Sequence, residues 1–324
     1  MEEGRIPTSH PMPLDFQQLP LAGKKAIVTG SSSVVGASLA RSLALQGASV
    51  ILGFQVSNGS RGGGDQESNV EGKVKEILND PLFPLHLLPR PPTIVALEGD
   101  FRSVPTCRSF AKRAMESLQG ELDILILNLG LADTSRSIRE MTESDFDLHF
   151  DSNAKVPLFL LQSLEPHIRP DGRIVFFSTT LTSNPTAVQP GQLNHVASKG
   201  AVEQMVRVLS RDPELSSPNR RITVNAISPD PVLVSTNTAT TATTSEFSPF
   251  LVTSSRDVQI GSDGGFRPGA PHPLPTQPPP TPTQTKARIE QLEEISKAVC
   301  FLASPNSGWV TGQNLRVHSR SSSS

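Results

Sequence analysis

The chain has 324 residues, 36% of them hydrophobic and 19% charged, with a formal net charge of −2. That length suits one large domain or two modest ones, and the near-neutral balance offers no basic field for nucleic acid or an anionic membrane. The two cysteines, Cys107 and Cys300, cannot staple a scaffold of this size and join no CxxC or Cys/His cluster. Neither a disulfide framework nor a metal site is therefore expected.

Residues 1–20 read as a flexible tail. The segment is acidic and proline-broken, without the basic and apolar regions of a secretory signal, and no apolar run reaches spanning length. A cytoplasmic location is the expectation. KKAIVTG then reads as a short buried strand ending in a glycine turn. GASLARSLALQG is helical, with Leu39, Leu43 and Ala44 on one face and Gly47 as its stop. ASVILGF is a second strand. Residues 57–92 are weakly patterned: a glycine-rich loop, VEGKVKEIL as a short helix, and a stretch broken by five prolines.

TIVALEGD gives a third strand, TCRSFAKRAMESL an amphipathic helix, and LDILILNLG a fourth strand apolar throughout. One long helical region covers SDFDLHFDSNAKVPLFLLQSLEPHI. GRIVFFST is the fifth strand, HVASKGAVEQMVRVLSRD a helix, and RITVNAISP the sixth strand. QLEEISKAVCFLA and GQNLRVH supply the last helix and the last strand. Strands that alternate with helices predict an α/β fold, a Rossmann-type doubly wound parallel sheet of about seven strands.

This reading makes 21–317 one domain, with 318–324 a second short tail. It is interrupted at 237–287, where Thr, Ser, Pro and Gly dominate. Such composition cannot bury enough apolar surface to offset ordering entropy, so no regular structure is expected there. It reads as an inert insertion, as retained intron sequence, or as a lid over a site.

The turn Thr29-Gly30-Ser31-Ser32-Ser33-Val34-Val35-Gly36 lies between a strand and a helix. Such a turn aims free backbone N–H groups and the positive helix end at a pyrophosphate. It resembles the TGxxxGxG motif of the short-chain dehydrogenase/reductase family. Within that family LNHVASKGAVEQMVR and GWVTGQNLRV resemble fungal polyketide and naphthol reductases, which implies a role in secondary metabolism. The motif's middle glycine is Val34 here, whose Cβ narrows the approach of a phosphate.

The resemblance implies further positions. Gly30, Ser31, Ser32, Ser33, Val35 and Gly36 would surround the cofactor phosphates, and Asp100 would meet the adenine. Asn128 and Gly130 match the kept half of the family's NNAG, and Val232 would lie beside the cofactor. Asn153 matches the helix asparagine that holds a proton-relay water. Pro229-Asp230 stands where the family has Pro-Gly, and LRVHSR replaces the usual VDGG. The second strand ends at Phe54 with no acidic residue to bind a ribose 2′-hydroxyl, while Ser57, Asn58 and Arg61 could meet a 2′-phosphate. NADP(H) is therefore expected over NAD(H).

The family places a tyrosine and a lysine one helical turn apart, so that the lysine's charge lowers the phenol's pKa. The matching residues here are His195 and Lys199, and the chain has no tyrosine at all. Thr179, with Ser178 beside it, takes the position of the substrate-orienting serine. His195, Lys199, Thr179 and Asn153 are thus the expected catalytic set. A histidine titrates near neutrality, and Lys199 would push it lower, which suits a base better than an acid. Its other reading is a filler of the tyrosine's slot.

Two functions follow. One is an NADPH-dependent oxidoreductase that reduces a carbonyl, or oxidises an alcohol, of a small molecule. The rival is a non-redox relative: a partner subunit, or a scaffold reused for cyclisation or isomerisation. The expected partner is a small-molecule substrate, with neither nucleic acid nor membrane, and homo-oligomerisation is compatible with either reading.

Overall fold

The structure, a computed structural model, describes residues 19–54, 91–131, 137–230 and 282–318, with the backbone of two short strands between the last two segments. Ala26, Ile27 and Val28 are fully buried in the first strand, β1 (Lys25–Thr29). Helix α1 (Val34–Leu45) follows and buries Leu39, Leu43 and Ala44. Gly47 ends this unit with φ +96°, a conformation that a side chain would strain. Next come β2 (Ser49–Phe54) and β3 (Ile94–Glu98), then α2 (Val104–Ser117), β4 (Leu122–Leu127) and α3 (Glu143–Phe150).

The expected single helix across 144–168 is in fact interrupted. After α3 the chain makes one π-helical turn over Asp151–Lys155 before α4 (Val156–Leu164). The fifth strand also starts earlier than expected: β5 spans Ile168–Phe177, with a register shift against β4 between Leu122 and Ile124. Then follow α5 (Leu193–Leu209), the single turn α6 (Pro213–Ser216) and β6 (Thr223–Pro229).

All seven strands of the main sheet run parallel in the order β3-β2-β1-β4-β5-β6-β9, where β9 is Asn314–Val317. One apolar layer packs α2, α4 and α5 on the sheet, and the other packs α1 and the long helix α7 (Pro282–Ala303) on the opposite face. This is the doubly wound fold that the alternation of strands and helices predicts. It sets the reversal of strand order at β1 and β4, where such sheets open a crevice at their carboxyl ends. At the other end of the sheet, Asp123 accepts from Lys25 N (2.8 Å), Lys24 Nζ (3.2 Å) and Arg169 Nε (3.0 Å).

The expectation of no regular structure over 237–287 is corrected in two places. Strands β7 (Val258–Ile260) and β8 (Phe266–Pro268) pair antiparallel. The Gly-Ser-Asp-Gly-Gly run between them is a hairpin signal that the low-complexity flanks obscure. Helix α7 already begins at Pro282, because proline suits the first helical turn, where an N–H has no partner to lose. Both cysteines are free and buried, and among the described residues no group of three metal-binding side chains occurs. No described helix is long and apolar enough to cross a membrane.

Candidate active site

The β1–α1 turn is shaped by two glycines. Gly30 has φ +66°, and a Cβ there would stand 2.4 Å from Asn128 O. At Gly36 a Cβ would stand 2.3 Å from Gly30 O, so only glycine lets the helix close on the turn. Ser33 caps α1: its Oγ accepts from Gly36 N (3.0 Å) and from Asn128 Nδ2 (3.3 Å), and donates to Gly30 O (2.8 Å). The N–H groups of Val34 and Val35, the first two of the helix, keep no intrahelical acceptor. With the helix dipole they could hold an anion at this end of the turn.

Ser31 departs from its expected role. Its N–H donates to Gly53 O (3.0 Å) and its buried hydroxyl to Val28 O (2.8 Å), so the side chain faces the sheet and not a phosphate. Asp100 sits after β3 as expected, but Arg102 clasps its carboxylate through Nε (2.9 Å) and a terminal nitrogen (3.0 Å). That hydrogen-bonded pairing holds the Asp100 carboxyl below its usual range. Ser57, Asn58, Arg61 and Val232 lie outside the described residues.

Three of the four expected catalytic residues, His195, Lys199 and Asn153, converge on the loop after β4. Lys199 is buried in α5, and its Nζ donates to Phe177 O (2.8 Å) and Leu129 O (3.1 Å). Burial pushes its pKa down to about 8. Gly130 makes room for it: a Cβ at Gly130 would lie 3.0 Å from Nζ. Asn153 projects from the π turn, a feature that often marks functional sites. Its Oδ1 accepts from Leu131 N (2.6 Å), and its Nδ2 donates to Leu131 O (3.0 Å) and Ser198 Oγ (2.9 Å). Ser198 in turn donates to His195 O (2.9 Å).

His195 also reaches Leu131 O, through Nδ1 at 3.0 Å. Burial chiefly, with the Lys199 charge second, pulls its pKa down to about 4, against the opposing Leu131 hydrogen bond. Thr179 is buried just past β5, and its Oγ1 accepts from Leu181 N (3.4 Å). No hydrogen bond joins Thr179 to His195 among the described residues. Ser178 donates to Glu203 Oε1 (2.7 Å), which also accepts from Thr182.

Glu203 escaped the sequence reading, although its place four residues after Lys199 puts it on the same helix face. A second missed link joins Asp230 to Thr180, whose hydroxyl donates to Oδ1 at 2.9 Å, and to His318.

A family model described as Enoyl-(Acyl carrier protein) reductase, of the short-chain dehydrogenase type, matches residues 87–264, more than half of the chain. This chain belongs to the short-chain dehydrogenase/reductase family. Curated short-chain dehydrogenase relatives match over nearly the whole length. The hydroxynaphthalene reductase-like protein Arp2 of Metarhizium majus is 27% identical, with 90% of this chain and 92% of the relative covered. The hydroxynaphthalene reductase arp2 of Aspergillus fumigatus is 28% identical, with 91% of each covered.

Solved short-chain dehydrogenases share the fold. A dehydrogenase/reductase from Sinorhizobium meliloti superposes with TM-score 0.64 at 24% identity, over 94% of this chain and 96% of that one. A short-chain dehydrogenase from Burkholderia cenocepacia in complex with NADP gives TM-score 0.62 at 22% identity, over 92% and 98%.

Proposed function

We propose that this chain is an NADP(H)-dependent oxidoreductase that interconverts a carbonyl and an alcohol on a small molecule. The observation that carries the reading is Lys199: a buried cation beside Gly130, at the carboxyl ends of the strands, one helical turn from His195. Two carbonyl oxygens accept from its ammonium group, which has three N–H donors, and a cofactor ribose is the further partner the family resemblance supplies.

The residues present fit a dinucleotide. Gly30 and Gly36 let the turn close, and the N–H groups of Val34 and Val35 open the helix, where a phosphate would find them without intrahelical acceptors. Val34 differs from the family's glycine in its side chain, while its N–H remains available. A nicotinamide held there gives or takes a hydride, which is chemistry the protein itself lacks. Lys199 orients the ribose, the Thr179 hydroxyl orients the substrate oxygen, and His195 handles that oxygen's proton.

NADP(H) is favoured over NAD(H) by the missing acid after Phe54 and by Arg61. The relatives' name directs the substrate search to hydroxylated aromatic carbonyl compounds. A cytoplasmic place in secondary metabolism belongs to the same reading. Fluorescence titration tests it: NADPH binds at least tenfold more tightly than NADH, and Arg61→Ala removes most of that preference. Equal affinity for both sinks the NADP(H) assignment. Binding of neither sinks the redox reading and leaves the non-redox rival.

A further inference from the structure

The carbonyl oxygen of Leu131 can only accept a hydrogen bond. It lies 3.0 Å from His195 Nδ1, so Nδ1 carries the ring hydrogen and the neutral imidazole presents a bare lone pair at Nε2. Leu131 O is itself fixed: Asn153 holds both the N–H and the carbonyl of that residue. The tautomer is therefore set by the backbone and cannot flip without breaking this clamp. Nε2 has no hydrogen-bond partner among the described residues and is not among the buried unpartnered atoms.

The groups facing the ring reinforce this state. On its own helix stands Lys199, a cation that opposes a second positive charge. From α3 comes His149, whose Nδ1 lies 2.8 Å from Asp145 O and whose charge also opposes a positive charge on His195. No carboxylate acts on His195 among the described residues. Nothing nearby stabilises an imidazolium, so at neutral pH the ring rests without a second proton.

We infer that His195 works as a base alone, so that the site oxidises an alcohol at neutral pH and has no proton in hand for a carbonyl. The inference rests on the cofactor reading above. In the step, Nε2 takes the hydroxyl proton of the alcohol while the O–H electron pair becomes the second carbonyl bond. The carbinol hydrogen leaves with its bonding pair as hydride to the oxidised nicotinamide, and the proton on Nε2 then passes to solvent. The reverse step needs an imidazolium. With the ring's pKa near 4, roughly one site in a thousand carries it at pH 7. A tyrosine, by contrast, holds its proton at that pH and gives it readily, so the loss of the phenol changes the direction the site serves.

Two measurements test this on the full chain. Nitrogen-15 NMR of the cofactor-free protein, with His195 assigned through His195→Gln, should show the Nδ1–H tautomer at pH 7 and a titration below pH 5.5. An Nε2–H tautomer, or titration at or above pH 6.5, overturns the inference while leaving the cofactor reading intact. Kinetics with secondary alcohols and NADP⁺, and with the matching ketones and NADPH, should then be followed from pH 5 to 9. Oxidation kcat/KM should stay level while reduction falls about tenfold per pH unit. In His195→Tyr, reduction should instead be level up to neutral pH. Wild-type reduction that is level from pH 5 to 7, or no turnover of any pair, overturns the proposal. Absence of a thermal shift with NADP⁺ overturns it together with the function on which it rests.

Discussion

Asp230 and His318 are bound to each other, Oδ1 to Nδ1 at 3.2 Å. Asp230 stands where the family has the glycine of Pro-Gly, and His318 lies in the ending LRVHSR that replaces the family's VDGG. They are 88 residues apart in sequence yet meet because β6 and β9 are neighbours in the sheet. The two departures from the motif are therefore one compensated change, and they weigh less as signs of a decayed site than two separate losses would.

The Asp230 cluster should respond unequally to substitution. Asp230 is nearly buried and accepts from the Thr180 hydroxyl, while the His318 side chain is 58% exposed. Asp230→Ala should cost about 1–3 kcal/mol, since it leaves the buried Thr180 hydroxyl only the long contact to Pro229 O (3.4 Å). His318→Ala should cost less than about 1 kcal/mol. Guanidinium unfolding midpoints decide it, and equal losses would show that the exposed pair is the main contact.

In the β1–α1 turn, adjacent positions should behave in opposite ways. Gly36→Ala drives a methyl to 2.3 Å from Gly30 O, so stability should fall by at least about 2 kcal/mol and NADPH binding with it. Val34→Gly sits at the open first position of α1 and should cost no more than about 1 kcal/mol. It should tighten NADPH binding, as read by fluorescence titration. Unchanged affinity would mean that the valine methyls do not obstruct the phosphate.

Acid stability should depend on His195. Its pKa of about 4 in the folded chain lies below the ordinary 6.5, so the unfolded chain takes up the proton first. The contribution is complete above pH 6.5 and is lost as pH falls from 6.5 through 4. Its size is at most about 3 kcal/mol. His195→Gln should flatten the stability–pH curve in that window, and identical curves for both proteins would refute the assignment.

The thiols should be inert in the native state. Burial pushes Cys300 up to about 12 and raises Cys107 as well. Ellman's reagent should therefore react with neither thiol until denaturant is added. Rapid reaction of one equivalent in buffer would show that a helix layer opens.

The alternation of elements was legible because β4 is buried on both faces and, past Asp123, spells an apolar run. Helical spacing likewise located His195 and Lys199, since four residues make one turn. Contacts that depend on strand ends meeting in space were not legible, as Asp230 with His318 and Ser178 with Glu203 illustrate. Ser31 misled for a related reason: its residue type suits phosphate, but the tight turn rotates its hydroxyl onto Val28 O. Within the 144–168 helix, one added residue disturbs an apolar pattern too little to be noticed over so short a span.

That added residue, in the π turn Asp151–Lys155, makes chain count part of the site's code. An α-helix advances about 100° per residue, so the extra one rotates α3 by that angle relative to α4 about their common axis. Asn153 reaches Leu131 from this turn, and His149 approaches α5 from the turn before it. A single-residue deletion here would keep every functional side chain and still bring α3 round to the wrong azimuth. Loops near the site can gain or lose residues and keep its chemistry, whereas this helix carries its geometry in its residue count.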